Sequence, residues 1–447
     1  MAAIGSYPSS LQYVVNRIVG FSKQSVKVQP STPVNALPGD TIIFTLPPNS
    51  MVDLSSVTFK GELVGITGAD LPAIFPRYSH CFVEMMDTQI NNTSIDGANM
   101  QYHRLYRILA DYHLGSTANK KYPLELGGYS GLGGSGPTNA VPLIDFYSGT
   151  AARAGALTAI TPNTDPNATL TGLPWFLQGF PGFLGCGKVI DTSLTGEIRV
   201  LIRLAPNTIL ASTSANTTMT YTVHNLSMLC DIWSVDDGVL YGLLQSRLAT
   251  QPITIPFHRW VSFSGPAFNS STSVRWALST QSLDLVLATF TRNTYTNRTV
   301  STAFNGPVPF FRHTANGIGG LSWTHNSVSY PAYTQDPNEA WHQLLNTLSA
   351  HDEPINVSNG LTAMNWFTEY FATGFRFCLP DEPGKPPFVP GTMSGIDTRG
   401  LQSSGTLEVL ASSKSAILAS EALVPWVFAR THAHLLVGSY RSSQLLQ

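Results

Sequence analysis

Two histidines near the end of the chain, His432 and His434, are separated by one residue within the apolar run 426–437. Residues two apart on a β-strand point to the same face, so both imidazoles could serve one metal ion. Arg430 shares that face, however, and no carboxylate or cysteine lies nearby in the sequence. We therefore interpret this segment as a solvated or inter-subunit strand face rather than a metal site.

A second group of titratable residues surrounds a segment with helical periodicity. His103 and His113 flank it, and Asp111 lies between them. A catalytic role for these residues would require a nucleophile that the fold brings in from elsewhere in the chain. The sequence does not show such a nucleophile, so we predict no catalytic site here.

Three further motifs lack part of the pattern that their chemistry requires. Asp352 and Glu353 are adjacent carboxylates of the kind glycosidases use, but they precede Pro354, where a solvated turn is expected. Residues 236–238, Asp-Asp-Gly, lack the spacing of a calcium-binding EF-hand and are interpreted as a domain-linking turn. The glycine-rich residues 127–136 lack the Gly-Lys-Ser/Thr of a phosphate loop. The sequence thus predicts a non-enzymatic protein without catalytic, cofactor-binding or metal-binding residues.

The cysteines favour free thiols. Cys81, Cys186, Cys230 and Cys378 are widely separated and show no Cys-x-x-Cys spacing. Most lie in apolar segments with strand character, which predicts buried thiols rather than a zinc site or a disulfide framework. This usage implies a reducing compartment.

The composition is unusually poor in charge. Of 447 residues, 43% are hydrophobic and only 12% are charged, which is about half the usual charged share. A chain of this length should form more than one core. A low-charge surface suggests burial against other subunits, although a large all-β protein with Ser-, Thr- and Asn-rich loops would have a similar composition.

The charge balance also limits the partners. The net charge is −2 and no basic block occurs, so tight non-specific binding of DNA by this chain is not expected. Residues 1–10 lack the features of a signal peptide, and no apolar run of about 18 residues predicts a membrane span.

The first half of the chain has the periodicities of a β domain with one helix. Residues 41–46 and 54–64 are predicted strands, and a polar turn at Asn91–Asn92 precedes the helix. Residues 197–204 alternate apolar and charged side chains as a half-buried strand does, and 221–233 form another long strand. The predicted helix places Tyr102, Leu105, Tyr106 and Leu109 on one face.

The second half repeats this order of elements. Strands are predicted at residues 274–278 and 282–290, and later at 406–411 and 426–437. Asp336-Pro337-Asn338-Glu339 predicts a helix start with a capping box. That helix repeats the spacing of the first one with Trp341, Leu344, Leu345 and Leu348. A following strand is predicted to alternate Phe371, Phe375, Phe377 and Leu379. Two similar β-sandwiches in tandem explain the repeat.

The repeat predicts four segments. Residues 1–30 form an N-terminal arm with a short amphipathic helix, or an ordinary packed terminal helix. Residues 31–237 form a first β domain, residues 238–255 a linker, and residues 256–447 a second β domain. Residues 127–174 are predicted to be an elaborated surface loop of the first domain.

Six segments carry a resemblance to known proteins, namely residues 39–47, 53–59, 80–109, 371–375, 394–400 and 426–431. They resemble the double jelly-roll major capsid proteins of double-stranded DNA viruses, including polinton-like viruses, virophages and the nucleocytoplasmic large DNA viruses. It implies an all-β chain of two tandem eight-stranded jelly rolls with short helices in the connecting loops.

The resemblance also implies an assembly. Family members form homotrimers, which are pseudo-hexameric capsomers of an icosahedral capsid. The implied partners are a homotrimer, neighbouring capsomers, and penton and minor capsid proteins, without specific nucleic-acid binding, and an underlying membrane is left open. The implied location is the virion, with assembly in the host cytoplasm or nucleus. By position, residues 115–174 and 291–316 would be tower or inter-subunit loops. A minor capsid or spike protein, or a two-sandwich carbohydrate-active enzyme, are the alternatives.

Overall fold

The computed structural model describes most of the chain with gaps, namely residues 21–66, 73–74, 76, 78–97, 101–113, 173–212, 220–235, 246–296, 309–348, 363–379, 393–400, 404–417, 421–438 and 443–446. The strands of the first half are β1 Phe21–Val28, β2 Thr41–Thr45, β3 Met51–Ile66, β4 Ala73–Ile74, β5 Val83–Ile90, β6 Thr93–Ser94, β7 Leu173–Leu177, β8 Val189–Asp191, β9 Ile198–Leu204, β10 Ala211–Ser212 and β11 Thr220–Val235. Those of the second half are β12 Ile253–Ser264, β13 Thr272–Ala277, β14 Leu283–Arg292, β15 Ile318–His325, β16 Val328–Gln335, β17 Thr373–Arg376, β18 Ser404–Ala411, β19 Leu423–Val437 and β20 Ser443–Leu446.

Short helices interrupt the strands. The α-helices are α1 Tyr102–His113, α2 Thr192–Thr195, α3 Asn293–Thr296, α4 Pro337–Leu348 and α5 Ala363–Glu369. No helix among the described residues is both long and apolar enough to cross a lipid bilayer.

Each half contains two facing sheets with the same strand order. In the first half these are β1-β11-β3-β7 and β2-β9-β5-β6, and in the second half β12-β19-β14-β17 and β13-β18-β15-β16. When the eight principal strands of either half are numbered along the chain, both halves give the orders 1-8-3-6 and 2-7-4-5. This antiparallel arrangement is a jelly roll. The protein is therefore an all-β double jelly roll, as the family resemblance implied.

Local sequence explains the best-predicted strands. In β9, the side chains of Ile198, Val200, Ile202 and Leu204 are buried, and those between them are half-buried. The predicted polar turn joins β5 to β6, where Asn91 and Asn92 adopt φ of 49° and 65°. Asparagine tolerates this left-handed backbone better than most residues, which favours a tight hairpin.

The first strand lies inside the segment predicted to be an arm. All eight residues of β1, Phe21–Val28, pair with β11, so the first jelly roll begins before residue 31. The sequence of β1 is polar and has no apolar alternation, so periodicity did not predict this strand. It is an edge strand that is held by backbone pairing and by a Lys23–Asp231 ion pair of 2.7 Å. Residues 1–20, including the predicted arm helix, lie outside the described residues.

Two other boundaries differ from the prediction. Strand β12 begins at Ile253, within the predicted linker 238–255, of which residues 246–250 are helical. The strand predicted through Leu379 is confined to β17, Thr373–Arg376, and Leu379 is 73% exposed. The apolar side chains beyond Arg376 suggested a longer strand, but β17 pairs with β14 only as far as Leu285. The loop predicted at 127–174 lies almost entirely outside the described residues.

The predicted capping box at the start of α4 is confirmed. Asp336 Oδ1 accepts hydrogen bonds from the backbone N–H groups of Asn338 and Glu339, at 2.8 and 2.9 Å. Glu339 Oε2 accepts one from the backbone N–H of Asp336, at 2.8 Å. On the predicted apolar face, Leu344 and Leu348 are buried, and Trp341 and Leu345 are partly buried against the same core.

We predict that Asp336→Ala lowers the free energy of unfolding by about 0.5–2 kcal/mol, because the first turn of α4 loses its N-cap acceptor. The shift would be measured as the midpoint of denaturant unfolding. Asp336→Asn keeps an acceptor oxygen at the same position and is expected to remain close to the unsubstituted protein. Equal losses in both variants would contradict the capping explanation.

Candidate functional site

The two jelly rolls meet at α1, whose side chains enter both hydrophobic cores. Tyr102 and Tyr106 belong to the core of the first jelly roll. Leu105 and Ile108 belong to the core of the second, and Leu109 packs against it. The helix was predicted to be buried on one face only, whereas it is buried on nearly all sides. Helical periodicity identified the helix but could not show that it lies between two sandwiches.

The sharing of cores is reciprocal. Six residues from the second half of the chain lie in the core of the first jelly roll: Phe257, Phe310, Phe311, Ala433, Leu435 and Val437. Burial of apolar surface is the main favourable term in folding, so a shared core joins the two sandwiches firmly. We call this region the seam: α1, the second-half residues just named, and the residues that contact them.

Arg104 of α1 crosses the seam as a buried cation. It is 1% exposed, and its Nη1 donates a hydrogen bond of 2.8 Å to the backbone carbonyl oxygen of Phe310. Its guanidinium carbon lies 4.0 Å from the ring centre of Phe310 and 4.8 Å from that of Trp426. Burial lowers the pKa of Arg104 to about 9, which still leaves it charged at neutral pH. The aromatic faces and the carbonyl thus replace water around the cation.

Arg107 forms the buried ion pair of the seam. Its Nε lies 2.7 Å from Oδ2 of Asp111, one helical turn later, and the side chains are 1% and 4% exposed. Tyr78 donates a hydrogen bond of 3.2 Å to the other carboxylate oxygen of Asp111. The sequence places Asp111 between two histidines, but in the structure its carboxylate contacts Arg107 and Tyr78. The side chain of His113 is outside the described residues.

Buried histidines complete the seam. The ring of His103 stacks on that of Phe310 with centres 5.2 Å apart, and His313 is 2% exposed. Burial, with the nearby charge of Arg104, holds the pKa of both imidazoles well below the usual value. Both side chains are therefore neutral at physiological pH.

His80 is enclosed beside α1. Its Nε2 donates to the carbonyl oxygen of Gln178 at 2.7 Å, so its Nδ1 accepts from the hydroxyl of Tyr102 at 2.8 Å. The imidazole stacks on Tyr106 with ring centres 3.8 Å apart. Burial lowers the pKa of His80 to about 3. The neutral tautomer is thus fixed by one donor and one acceptor contact.

A hydroxyl group also links the halves. Tyr112 donates a hydrogen bond of 2.8 Å to the backbone carbonyl oxygen of Tyr370. We predict that Tyr112→Phe lowers the free energy of unfolding by about 1–3 kcal/mol, because a buried acceptor loses its donor. Denaturant unfolding would measure the loss. Tyr333→Phe, at a residue that is 55% exposed, is the matched control and should leave the midpoint unchanged.

A second buried polar cluster lies in the sheet β12-β19-β14-β17. His432, predicted to lie on a solvated or inter-subunit face, is 1% exposed, and Arg430 is 5% exposed. The carboxylate that the local sequence lacked comes from Asp284 on β14, whose Oδ2 lies 3.7 Å from Nε of Arg430. Nε2 of His258 lies 3.5 Å from the same oxygen. His432 and Arg430 are therefore buried within the chain, and the prediction of a solvated or inter-subunit face is wrong for these two residues.

The cysteines are free thiols, as the sequence predicted. Cys81, Cys186 and Cys230 are buried, and Cys378 is intermediate. Burial raises the pKa of the Cys81 thiol to about 12, so it remains protonated and unreactive. Asp352–Glu353, residues 236–238 and residues 127–136 lie outside the described residues.

Comparison with known proteins identifies the fold. No protein-family model matches the chain, and no curated protein matches it by sequence. Among solved structures, the Faustovirus major capsid protein matches with a TM-score of 0.58 at 9% identity, over 98% of this chain and 93% of that one. VP54 of PBCV-1 matches with a TM-score of 0.54 at 12% identity, over 97% and 98%.

The fold is that of the double jelly-roll viral major capsid proteins. A chain from the structure of the Sputnik virophage also matches, with a TM-score of 0.54 at 12% identity, over 100% of this chain and 93% of that one. Both jelly rolls are included in each match, so the double jelly roll is shared as a whole. The predicted resemblance in fold is thereby confirmed.

Proposed function

We propose that this protein is a major capsid protein, a structural subunit of an icosahedral DNA virus shell without enzymatic activity. The observation that carries the proposal is the repeated strand order, 1-8-3-6 and 2-7-4-5, in two jelly rolls that share one seam. The matched Faustovirus protein is a major capsid protein with the same fold over nearly its whole length.

The proposed assembly is a homotrimer. Three chains with two similar sandwiches each place six sandwiches around one axis, which gives a pseudo-hexameric outline suited to six neighbours in a lattice. The seam supports this proposal because it makes each pair of sandwiches a single building block. The low charge of the chain, 12% of residues, supports close contact between identical subunits.

The remaining parts of the proposal concern partners and segments. The trimers contact neighbouring capsomers, and penton and minor capsid proteins close the shell in the virion. Residues that precede β1 would form an arm at capsomer contacts, and the segment between Val235 and Ile253 would link the two jelly rolls. Charge in the enclosed genome would be neutralised by ions or other proteins, because the chain has a net charge of −2.

Size-exclusion chromatography with light scattering tests the trimer. We expect a mass three times that of the 48.3 kDa chain, independent of concentration in the micromolar range. A stable monomer that never assembles would contradict the proposal. Copy number in purified particles separates a major from a minor capsid or spike protein, and specific binding in a glycan screen would favour a carbohydrate-active protein instead.

A further inference from the structure

Three neighbouring strands bring two histidines and one aspartate together in the second jelly roll. Strand β19 lies between β12 and β14 in the sheet. His258 of β12 and His432 of β19 are register partners on these antiparallel strands. Side chains directly opposite each other project from the same face of the sheet, about 5 Å apart at Cβ. This places two imidazoles side by side.

A β-bulge adds the carboxylate. Leu283 pairs with Thr431 and Leu285 pairs with Arg430, so Asp284 has no register partner on β19. Such bulges re-aim a side chain. The ligand atoms of His258, Asp284 and His432 consequently lie within 4.8 Å of one another, and all three residues are buried. The residues are far apart in the sequence, so only the fold brings them together.

One ring nitrogen of each of the two histidines lacks a hydrogen-bond partner within the described residues, and the carboxylate of Asp284 is held in place. Nε2 of His258 and Nε2 of His432 form no hydrogen bond with any residue that the structure describes. A buried polar nitrogen without a partner is costly, so it calls for an explanation such as a bound ion. Ser282 donates a hydrogen bond of 2.9 Å to Oδ1 of Asp284. That contact orients the carboxylate, as residues outside the ligand set do in metal sites, and leaves Oδ2 towards His258.

We propose that His258, Asp284 and His432 bind a divalent transition-metal ion of the Zn²⁺ class. Two imidazole nitrogens and one carboxylate oxygen are a donor set that Zn²⁺ accepts, with water as the fourth ligand. Tetrahedral ligands at 2.0–2.1 Å from Zn²⁺ are separated by about 3.3 Å. The ligand atoms lie within 4.8 Å of one another, so we expect the side chains to rotate towards the ion when it binds.

Arg430 competes with the metal for the carboxylate. Its Nε lies 3.7 Å from Oδ2 of Asp284, the oxygen that would bind the metal. Its Nη2 also lies 3.8 Å from Sγ of Cys378, which gives the guanidinium a second contact. A bound metal ion would stand beside this cation at Asp284, so Arg430 is expected to weaken the metal affinity. An ion held by β12, β14 and β19 ties three strands of the second jelly roll together.

The test starts from purified full-length chain that is stripped with a chelator, desalted, reloaded with Zn²⁺ or Co²⁺ and separated from free metal. We expect one ion per chain, a raised midpoint of thermal unfolding and, for Co²⁺, the visible absorption of a tetrahedral site. X-ray absorption of the Zn²⁺ form should show nitrogen and oxygen ligands without sulfur. No retained ion, or a sulfur ligand, would overturn the proposal without any variant.

Variants assign the ligands. Asp284→Asn and His432→Gln are expected to abolish retention, and Ser282→Ala to weaken affinity by about 10–100-fold. Arg430→Gln removes the competing charge and is expected to tighten binding by about tenfold or more. The matched control is His325→Gln, because the ring nitrogens of His325 also lack hydrogen bonds within the described residues. Equal loss of the ion in His325→Gln and His432→Gln would overturn the assignment.

Discussion

Replacing Asp111 by alanine is expected to lower the free energy of unfolding by about 3–5 kcal/mol, because it leaves the guanidinium of Arg107 buried without its carboxylate. The ion pair is 2.7 Å long, and both side chains are almost fully enclosed in the seam. Tyr78, which lies 3.2 Å from Asp111, would lose its acceptor as well. The substitution of Asp111 therefore removes the carboxylate that compensates the buried charge of Arg107.

The control for Asp111→Ala is a substitution in an exposed ion pair of the same residue types. Asp397 and Arg399 are 2.5 Å apart, and their side chains are 50% and 53% exposed. Asp397→Ala is expected to leave the unfolding midpoint nearly unchanged, since solvent screens exposed pairs. Denaturant unfolding of both variants would measure the difference. If the two substitutions cost the same, the buried pair is not what supports the seam.

Acidification below pH 6.5 is expected to destabilise the protein steeply. Three histidines are buried in or beside the seam: His80, His103 and His313. Burial holds the pKa of each imidazole below its usual value and lowers that of His80 to about 3. The native state holds them neutral, whereas the unfolded chain protonates them near pH 6.5. Stability is therefore complete above pH 6.5 and is lost as the pH falls towards the folded pKa values.

The free energy of unfolding is expected to fall by about 1.4 kcal/mol per pH unit for each of these histidines, or about 4 kcal/mol per pH unit for the three together. Asp96 acts in the opposite direction, because burial raises its pKa to about 6. The stability that Asp96 contributes decreases as the pH rises from 3.8 to about 6. On acidification over that interval, Asp96 therefore offsets the stability lost through one histidine. The net slope remains a loss of stability on acidification.

Unfolding midpoints measured between pH 7.5 and 5, with stability extrapolated at each pH, would give this slope. His80→Gln keeps a donor and an acceptor and should flatten the slope by up to about 1.4 kcal/mol per pH unit. A flat profile across pH 6.5 would contradict the buried neutral imidazoles.

Patterns confined to neighbouring residues were predictable from the sequence. The alternation of Ile198 to Leu204 and the capping box of Asp336 and Glu339 depend on residues within one element. The repeated order of strands and helix followed from such elements. The edge strand β1 was not predicted, because its polar side chains gave no apolar period and its pairing with β11 joins distant segments.

Contacts between distant elements could not be predicted from the sequence, because they depend on how strands and helices pack together. On a helical wheel, Arg104 and Arg107 form an ordinary polar face, but the structure buries it against residues of both halves, Phe310 over Arg104 and Tyr78 over Arg107. Likewise, His432 seemed to lack an acidic partner, because Asp284 is brought beside it by strand pairing and a bulge. A buried charge can be recognised only when the elements that enclose it are known.

Single-particle electron microscopy of the purified chain is the most direct test of the proposed capsid role. We expect three-fold particles in which each chain contributes two upright sandwiches, so that six sandwiches surround one axis with a hexagonal outline. Isolated two-sandwich particles at all concentrations, or particles of another symmetry, would contradict the role of this fold as a capsomer.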